Sequence, residues 1–200
     1  MKTLLYLHGF AGSGSSGTAT YLRNALYEFG VQVMAPDIPV APAAAMPFLH
    51  QQTLQLKPDL IVATSMGAMY AEQLKGHLRI LVNPSFCMAR LLTFGGMGRK
   101  PFRNPRQDGA KDFKVDKELI AQFRDIEKSS LKGITDEERQ LVYGLFGIHD
   151  RRVNCQADFK KAYGATHFAT FDGEHYLNDS ILKINVLPLI KELMNIHVAP

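Results

Sequence analysis

Three residue types that together perform acyl transfer are spread along this sequence. Ser65, Asp150 and His175 each follow an apolar run that is typical of a buried strand. A serine hydroxyl is a weak nucleophile until a base takes its proton. An imidazole titrates near neutral pH, so it can accept that proton and later return it. A carboxylate fixes the imidazole tautomer and stabilises the imidazolium ion. The three side chains therefore suit nucleophilic catalysis, provided that the fold brings them together.

The segment around Ser65 predicts a sharp turn from a strand to a helix. An apolar run ends at Ala63, and good helix formers follow Gly67. A serine on such a turn normally lies in the pattern G-x-S-x-G, and Ala63 replaces the first glycine here. Small neighbours are needed because the serine backbone is strained. The turn would aim the N–H group of Met66 at a developing oxyanion. The alternative is that this turn has no catalytic role and only connects a strand to a helix.

The elements around these residues predict an α/β fold. Six apolar runs read as strands, at residues 3–8, 31–35, 60–63, 78–82, 141–147 and 167–171. Helical periodicity lies between or after them, at residues 18–29, 47–56, 67–75, 155–163 and 181–194. Alternating strands and helices predict a mostly parallel sheet of about six strands, with helices on both faces. Ligands of such sheets bind at the carboxyl ends of the strands, where the three side chains stand.

One segment interrupts this alternation. Residues 85–140 show no strand pattern and include the glycine cluster Gly95–Gly98, a basic stretch and an amphipathic helical pattern at 115–132. We expect a small helical lid here, whose apolar underside packs over Ser65 and whose basic face meets solvent or an acidic part of the substrate. The basic stretch has no aromatic ladder beside it, so a nucleic-acid partner is not expected.

Composition favours a single domain at residues 1–200. The net charge of +4 is modest, and no apolar run approaches the length of a membrane span. The first apolar run is too short for a secretory signal, so we expect a cytoplasmic protein. The two cysteines, Cys87 and Cys155, have no metal-type spacing and are expected to be free thiols. The oligomeric state does not follow from the sequence.

Two competing sites are weighed against the serine site. Gly12, Gly14 and Gly17 spell a dinucleotide-binding fingerprint, with Asp37 at the distance that this motif requires. Dinucleotide binders place the first glycine at the end of the strand, whereas Gly12 lies several residues beyond the strand end.

A metal site is disfavoured, and no cofactor is expected. Asp172 competes with Asp150 for the role of the acid.

Several segments resemble loops of the α/β-hydrolase superfamily. The first strand ends in Leu7–Phe10, which resembles the oxyanion loop, and residues 63–67 resemble the nucleophile turn. Residues 147–153 resemble the acid loop, and Gly173–His175 resembles the histidine loop. The order serine, acid, histidine is also that of these enzymes. The sequence is most similar to the small bacterial YqiA-like serine esterases, over roughly residues 3–84 and 141–195.

This resemblance implies a role for each site residue. Ser65 would be the nucleophile, His175 the base and Asp150 the acid, and the N–H groups of Phe10 and Met66 would bind the oxyanion. The expected protein is a cofactor-free serine hydrolase of the α/β-hydrolase fold that cleaves a small ester or thioester through an acyl-serine intermediate. The alternatives are a non-catalytic binding protein of the same fold and, less favoured, a dinucleotide-binding oxidoreductase.

Overall fold

A parallel sheet forms the centre of the molecule, which a computed structural model describes for residues 1–196. Its six strands lie in the order β2-β1-β3-β4-β7-β8, and every neighbouring pair is parallel. The strands are β1 (Lys2–Leu7), β2 (Val31–Met34), β3 (Leu60–Thr64), β4 (Arg79–Val82), β7 (Val142–Gly147) and β8 (Phe168–Phe171). The predicted α/β-hydrolase fold, with about six strands, is therefore confirmed. Residues 197–200 of the predicted domain lie outside the described residues.

Helices cover both faces of this sheet. They are α1 (Gly17–Tyr27), α2 (Pro42–Leu56), α3 (Met66–Gln73), α4 (Met88–Phe94), α5 (Lys117–Glu127), α6 (Asp136–Gln140), α7 (Gln156–Tyr163), α8 (Asp179–Ile181) and α9 (Leu187–Leu193). A π-helical turn, Leu182–Val186, joins α8 to α9. Helix α2 begins at Pro42, earlier than the predicted residue 47, because a proline is well tolerated at the first helical position.

The helices pack against two apolar cores, one on each face of the sheet. Side chains alternate across a strand, so Leu4 and Tyr6 of β1 point to one core and Leu5 and Leu7 to the other. The first core is closed by α1 and the C-terminal helices, and the second by α2, α3, α4, α5 and α7. The central strands β1, β3, β4 and β7 are largely buried on both sides, which accounts for their continuous apolar runs.

The insert between β4 and β7 differs from the prediction. It contains two short strands, β5 (Gly98–Pro101) and β6 (Asp112–Val115), paired antiparallel, where the sequence predicted none. Strand β5 is largely exposed and reads Gly-Arg-Lys-Pro, so it lacks the apolar pattern that marks a strand. The insert is therefore a mixed segment of α4, β5, β6, α5 and α6 and not a purely helical one.

A buried arginine fastens the amino end of β4. The Arg79 side chain is fully buried, and its guanidinium donates to the carbonyl oxygens of Ala71 at 3.1 Å and Glu72 at 2.7 Å. The same group forms an ion pair with Glu138 of α6. Helix α3, strand β4 and the last helix of the insert are thereby joined at the edge of the sheet opposite Ser65.

Candidate active site

Ser65 lies on a strained turn between β3 and α3. Its backbone has φ 53° and ψ −118°, a conformation that costs free energy for any residue but glycine. Hydrogen bonds hold it on both sides, because its N–H donates to Val82 O at 3.0 Å and its carbonyl accepts from Ser85 N at 3.1 Å. The turn is thus fixed by the neighbouring strand β4.

Small residues make room for this turn. A Cβ added at Gly67 would lie 2.4 Å from the carbonyl oxygen of Leu7, so only glycine lets α3 start this close to β1. A Cβ added at Gly9 would come within 3.2 Å of the Ser65 Cβ. Ala63 is fully buried in the core, so the methyl group that departs from the G-x-S-x-G pattern is accommodated by packing.

His175 joins the two other predicted residues. Its Nε2 lies 2.9 Å from Ser65 Oγ, and its Nδ1 lies 2.6 Å from Asp150 Oδ2. The His175 and Asp150 side chains are only 8% and 3% exposed, so solvent scarcely competes for this pair. The structure thus brings together Ser65, Asp150 and His175 from three separate strand ends.

Asp150 is held as an acceptor. Burial favours its neutral form, but hydrogen bonds from His175 and from the N–H groups of Val153 and Arg152 outweigh burial and lower the pKa of Asp150. Those N–H groups lie 3.0 Å and 2.8 Å from Oδ1. The carboxylate therefore stays ionised near neutral pH, which is the state that orients and stabilises an imidazolium.

Asp172, the competing acid, points elsewhere. Its side chain is 87% exposed and pairs with His149 Nε2 at 2.9 Å. His149 is therefore also directed away from His175. Within residues 1–196, no group of three His, Cys, Asp or Glu side chains is placed to hold a metal ion.

Asn83 positions the histidine loop, a role that the sequence did not reveal. Its Nδ2 donates to the carbonyls of Glu174 at 3.0 Å and His175 at 3.1 Å, and its Oδ1 accepts from Gly147 N at 2.8 Å. Asn83 thereby ties the ends of β4 and β7 to the loop that carries His175. The sequence indicated this role only through the position of Asn83 directly after a predicted strand.

The predicted oxyanion donors belong to two segments next to Ser65. Met66 begins α3, and Phe10 follows β1 in a loop that lines the same cleft as Ser65. His8 shapes that loop: its Nδ1 donates to Gly9 O at 2.9 Å and its Nε2 accepts from Ile38 N at 3.0 Å. Burial lowers the pKa of His8, consistent with a neutral ring that has a structural role.

The dinucleotide-like glycines have a different use. A Cβ at Gly14 would lie 1.9 Å from Ala35 O, so this glycine allows the loop to approach the end of β2. Both carboxylate oxygens of Asp37 accept from backbone, Oδ1 from Gly14 N at 2.7 Å and Oδ2 from Gln107 N at 2.6 Å. Asp37 thus braces two loops, an arrangement that leaves it poorly placed to bind a ribose.

A cleft of about 790 Å³ opens above Ser65. Its apolar wall comes from the oxyanion loop and from the insert, through Phe10, Met88, Leu91, Leu92 and Val115. Its mouth is lined by the cations Lys100, Arg103, Arg151 and Arg152. The basic face of the insert was expected to meet solvent or an acidic part of the substrate, and Lys100 and Arg103 of that stretch line the cleft.

The two cysteines are free thiols, as predicted, and they are neighbours. A hydrogen bond from the Cys155 thiol, together with the guanidinium of Arg90, lowers the pKa of Cys87 to about 6. They lie at the starts of α4 and α7 and outside the lining of the cleft.

Known structures share this fold at low sequence identity. Est1E from Butyrivibrio proteoclasticus superposes with a TM-score of 0.67 and 16% identity, covering 97% of this chain and 88% of that one. Alpha/beta hydrolase domain-containing protein 10 from mouse gives 0.62 and 12% identity, covering 96% and 90%. The thioesterase domain from the curacin biosynthetic pathway gives 0.57 and 16%, covering 96% and 91%.

Within residues 1–196, no helix has the length and apolar character needed to cross a bilayer. The sequence matches the family described as "Uncharacterised protein family (UPF0227)" over residues 3–187, nearly the whole chain. The chain therefore belongs to the UPF0227 family, and it has the α/β-hydrolase fold.

Proposed function

We propose that this protein is a serine hydrolase that cleaves a carboxylic ester or thioester through an acyl-serine intermediate. The observation that carries the proposal is His175, whose two ring nitrogens lie within hydrogen-bond distance of Ser65 Oγ and Asp150 Oδ2. A connecting turn needs neither a strained serine nor a buried carboxylate–imidazole pair. Such an arrangement is retained where a nucleophile must be activated.

In the first half-reaction Ser65 Oγ attacks the carbonyl carbon while His175 Nε2 takes its proton. Asp150 holds the opposite ring nitrogen and stabilises the imidazolium that forms. The carbonyl oxygen becomes an oxyanion and accepts hydrogen bonds from the N–H groups of Phe10 and Met66. These donors belong to rigid backbone, so they are oriented before the reaction begins.

The tetrahedral intermediate then collapses. The bond to the leaving group breaks as His175 returns its proton to the leaving oxygen or sulfur, and the acyl group stays on Ser65. In the second half-reaction His175 takes a proton from water, the resulting hydroxide attacks the acyl carbon, and Ser65 leaves with the proton. The free acid and the original enzyme result, and no cofactor takes part.

The insert at residues 85–140 would act as a lid that shapes the acyl pocket, because α4 and β6 contribute Met88, Leu91, Leu92 and Val115 to the lining of the cleft. We further propose one catalytic domain that acts on small-molecule substrates in the cytoplasm. The structural neighbours support hydrolysis, since they include a thioesterase domain and an alpha/beta hydrolase domain-containing protein.

Hydrolysis of 4-nitrophenyl butanoate tests this function. Wild-type protein should release 4-nitrophenolate, and Ser65→Ala should lower turnover by about a thousandfold or more, since the loss of a nucleophile removes the covalent route. The exposed Ser129→Ala, prepared in the same way, is the control for contaminating esterases and should match wild type. If Ser65→Ala retains wild-type turnover, the nucleophile has been misassigned. If no ester or thioester is cleaved by folded wild-type protein, the non-catalytic alternative is favoured.

A further inference from the structure

The mouth of the cleft carries unbalanced positive charge. Four cationic side chains line it, while no aspartate or glutamate among residues 1–196 does so. Three cations of the insert that lie outside the lining are paired with acids, namely Arg99 with Asp112, Arg106 with Asp108 and Lys114 with Asp116. Within the described chain, Lys100, Arg103, Arg151 and Arg152 have no carboxylate at ion-pair distance. An anionic ligand would neutralise this surface.

Two of these cations are fixed beside the proposed base. The guanidinium carbons of Arg103 and Arg152 lie 4.9 Å and 5.1 Å from the centre of the Tyr176 ring. Arg103 Nη2 also donates to Tyr176 Oη at 2.8 Å. Tyr176 follows His175 directly, and the centres of their rings are 5.3 Å apart. Stacking on an aromatic ring orients a guanidinium without neutralising it, which leaves its charge available to a ligand.

The backbone supports this arrangement from two separate elements. Arg103 belongs to the loop after β5, and its N–H donates to Ala11 O of the oxyanion loop at 2.8 Å. Arg152 belongs to the acid loop, and its N–H donates to Asp150 at 2.8 Å. The insert and the acid loop thus converge on Tyr176, so the distance between the arginines and Ser65 is set by the fold.

The direction of proton transfer indicates which part of the substrate the positive charge contacts. His175 Nε2 must hand its proton to the leaving group, so the leaving group has to lie beside His175, where Tyr176 and its arginines stand. The apolar wall formed by α4 and β6 is left for the acyl group. A guanidinium fork matches the paired oxygens of a carboxylate or a phosphate.

We infer that Arg103 and Arg152 form a binding site for an oxyanion, a carboxylate or a phosphate, on the leaving group of the substrate. The inference rests on the proposed function, because it uses the direction in which His175 delivers its proton. Lys100, whose Nζ donates to Gly95 O at 3.0 Å, and Arg151 add positive charge to the lining of the cleft.

A pair of esters with one acyl group tests this site. The substrates are 4-carboxyphenyl butanoate and its neutral analogue 4-carbamoylphenyl butanoate, whose leaving group is intrinsically at least as good. Wild-type kcat/KM should favour the carboxylate by about tenfold or more, as expected for charge-assisted hydrogen bonds, and added salt should reduce that preference. The double variant Arg103→Gln/Arg152→Gln should lose the preference, measured as the ratio of kcat/KM for the carboxylate ester to kcat/KM for the neutral ester in the same preparation. Lys111→Gln removes an exposed charge from the same insert, outside the cleft, and should keep the preference.

Two further substrates show which oxyanion is preferred and whether it must lie on the leaving group or on the acyl group. A phosphate in place of the carboxylate, in 4-(phosphonooxy)phenyl butanoate, shows which oxyanion is preferred. A carboxylate on the acyl side, in 4-nitrophenyl monoadipate, should give no gain that depends on Arg103 and Arg152. A charge preference that survives in the double variant, or one that is confined to the acyl-side anion, would overturn the inference.

Binding to Ser65→Ala separates this inference from the proposed function. Titration calorimetry should show tighter binding of the carboxylate ester than of the neutral one, and the difference should vanish when Arg103→Gln/Arg152→Gln is added. Equal binding of the two esters overturns the site, even if wild type is an active esterase. Conversely, selective binding with no hydrolysis by wild type overturns the proposed function and leaves the anion site in place.

Discussion

Ser65 shows how much local geometry depends on its neighbours. The positive φ of this residue is compatible with a serine because hydrogen bonds from β4 and the loop after it hold the turn on both sides. Gly67 is required by the nearby carbonyl of Leu7, while position 63 accepts a methyl group. The nucleophile turn therefore has one strict glycine position and one permissive position.

The identity of the acid can be tested by a matched pair of variants. Asp150→Asn should lower turnover by roughly a thousandfold or more, because an amide at this position favours the wrong imidazole tautomer. Asp172→Asn should stay within about tenfold of wild type, because Asp172 is exposed and pairs with His149. Steady-state kinetics on 4-nitrophenyl butanoate measure both. A larger loss in Asp172→Asn would move the acid to the end of β8.

The sequence predicted some site residues better than others for a physical reason. Ser65, Asp150 and His175 are revealed by residue type together with position after an apolar run, since a parallel sheet gathers all its strand ends at one edge. Asn83 acts through two backbone carbonyls and one backbone N–H, and these contacts have no side-chain signature. Arg103 was visible only as one member of a basic stretch.

At the scale of elements, the insert is fastened to the sheet by polar contacts. Ser15 Oγ donates to Pro105 O at 2.6 Å, and Gln107 N donates to Asp37 at 2.6 Å. Arg106, expected on a basic face, has a side chain only 5% exposed and stacks over Phe102 at 4.5 Å. The basic stretch is therefore divided between the cleft, a buried anchor and the solvent, which a charge pattern alone does not reveal.

The proposed lid predicts that α4 sets the preference for acyl chain length. Leu91 lines the cleft, so Leu91→Trp should shorten the acyl pocket and lower kcat/KM for the octanoate ester relative to the butanoate ester by about tenfold or more. Phe94→Trp is the matched control, because Phe94 is on the same helix, 85% exposed and outside the cleft. Equal selectivity in the two variants would place the acyl group away from α4.

At the scale of the whole molecule, the alternation of apolar runs was sufficient to predict the order of the main elements. It predicted the central strands β1, β3, β4 and β7 because these are largely buried on both faces. The strands of the insert were missed because they pair only with each other, and β5 is largely exposed. The burial of Arg79 was not predictable either, since its acceptors come from α3 and α6 and meet only in the folded chain.

The buried ion pair between Arg79 and Glu138 predicts that replacing Arg79 destabilises the protein more than replacing Lys128, which forms an exposed pair. Arg79→Met should lower the free energy of unfolding by about 3–5 kcal/mol, because it leaves Glu138 poorly solvated without its partner. Lys128→Met breaks an exposed pair with Asp125 and should leave the free energy of unfolding nearly unchanged, because solvent screens that pair. Urea unfolding followed by circular dichroism measures both values. Similar small losses would mean that Glu138 finds water once Arg79 is removed.

The central claim, that the fold assembles a reactive serine, is tested most directly by covalent labelling. Folded wild-type protein incubated with a fluorophosphonate should gain one adduct in its intact mass, and peptide mapping should place that adduct on Ser65. His175→Gln should label at least about a hundredfold more slowly, because the hydroxyl loses its base. Labelling of another residue, or no labelling of a protein shown to be folded, would contradict the account.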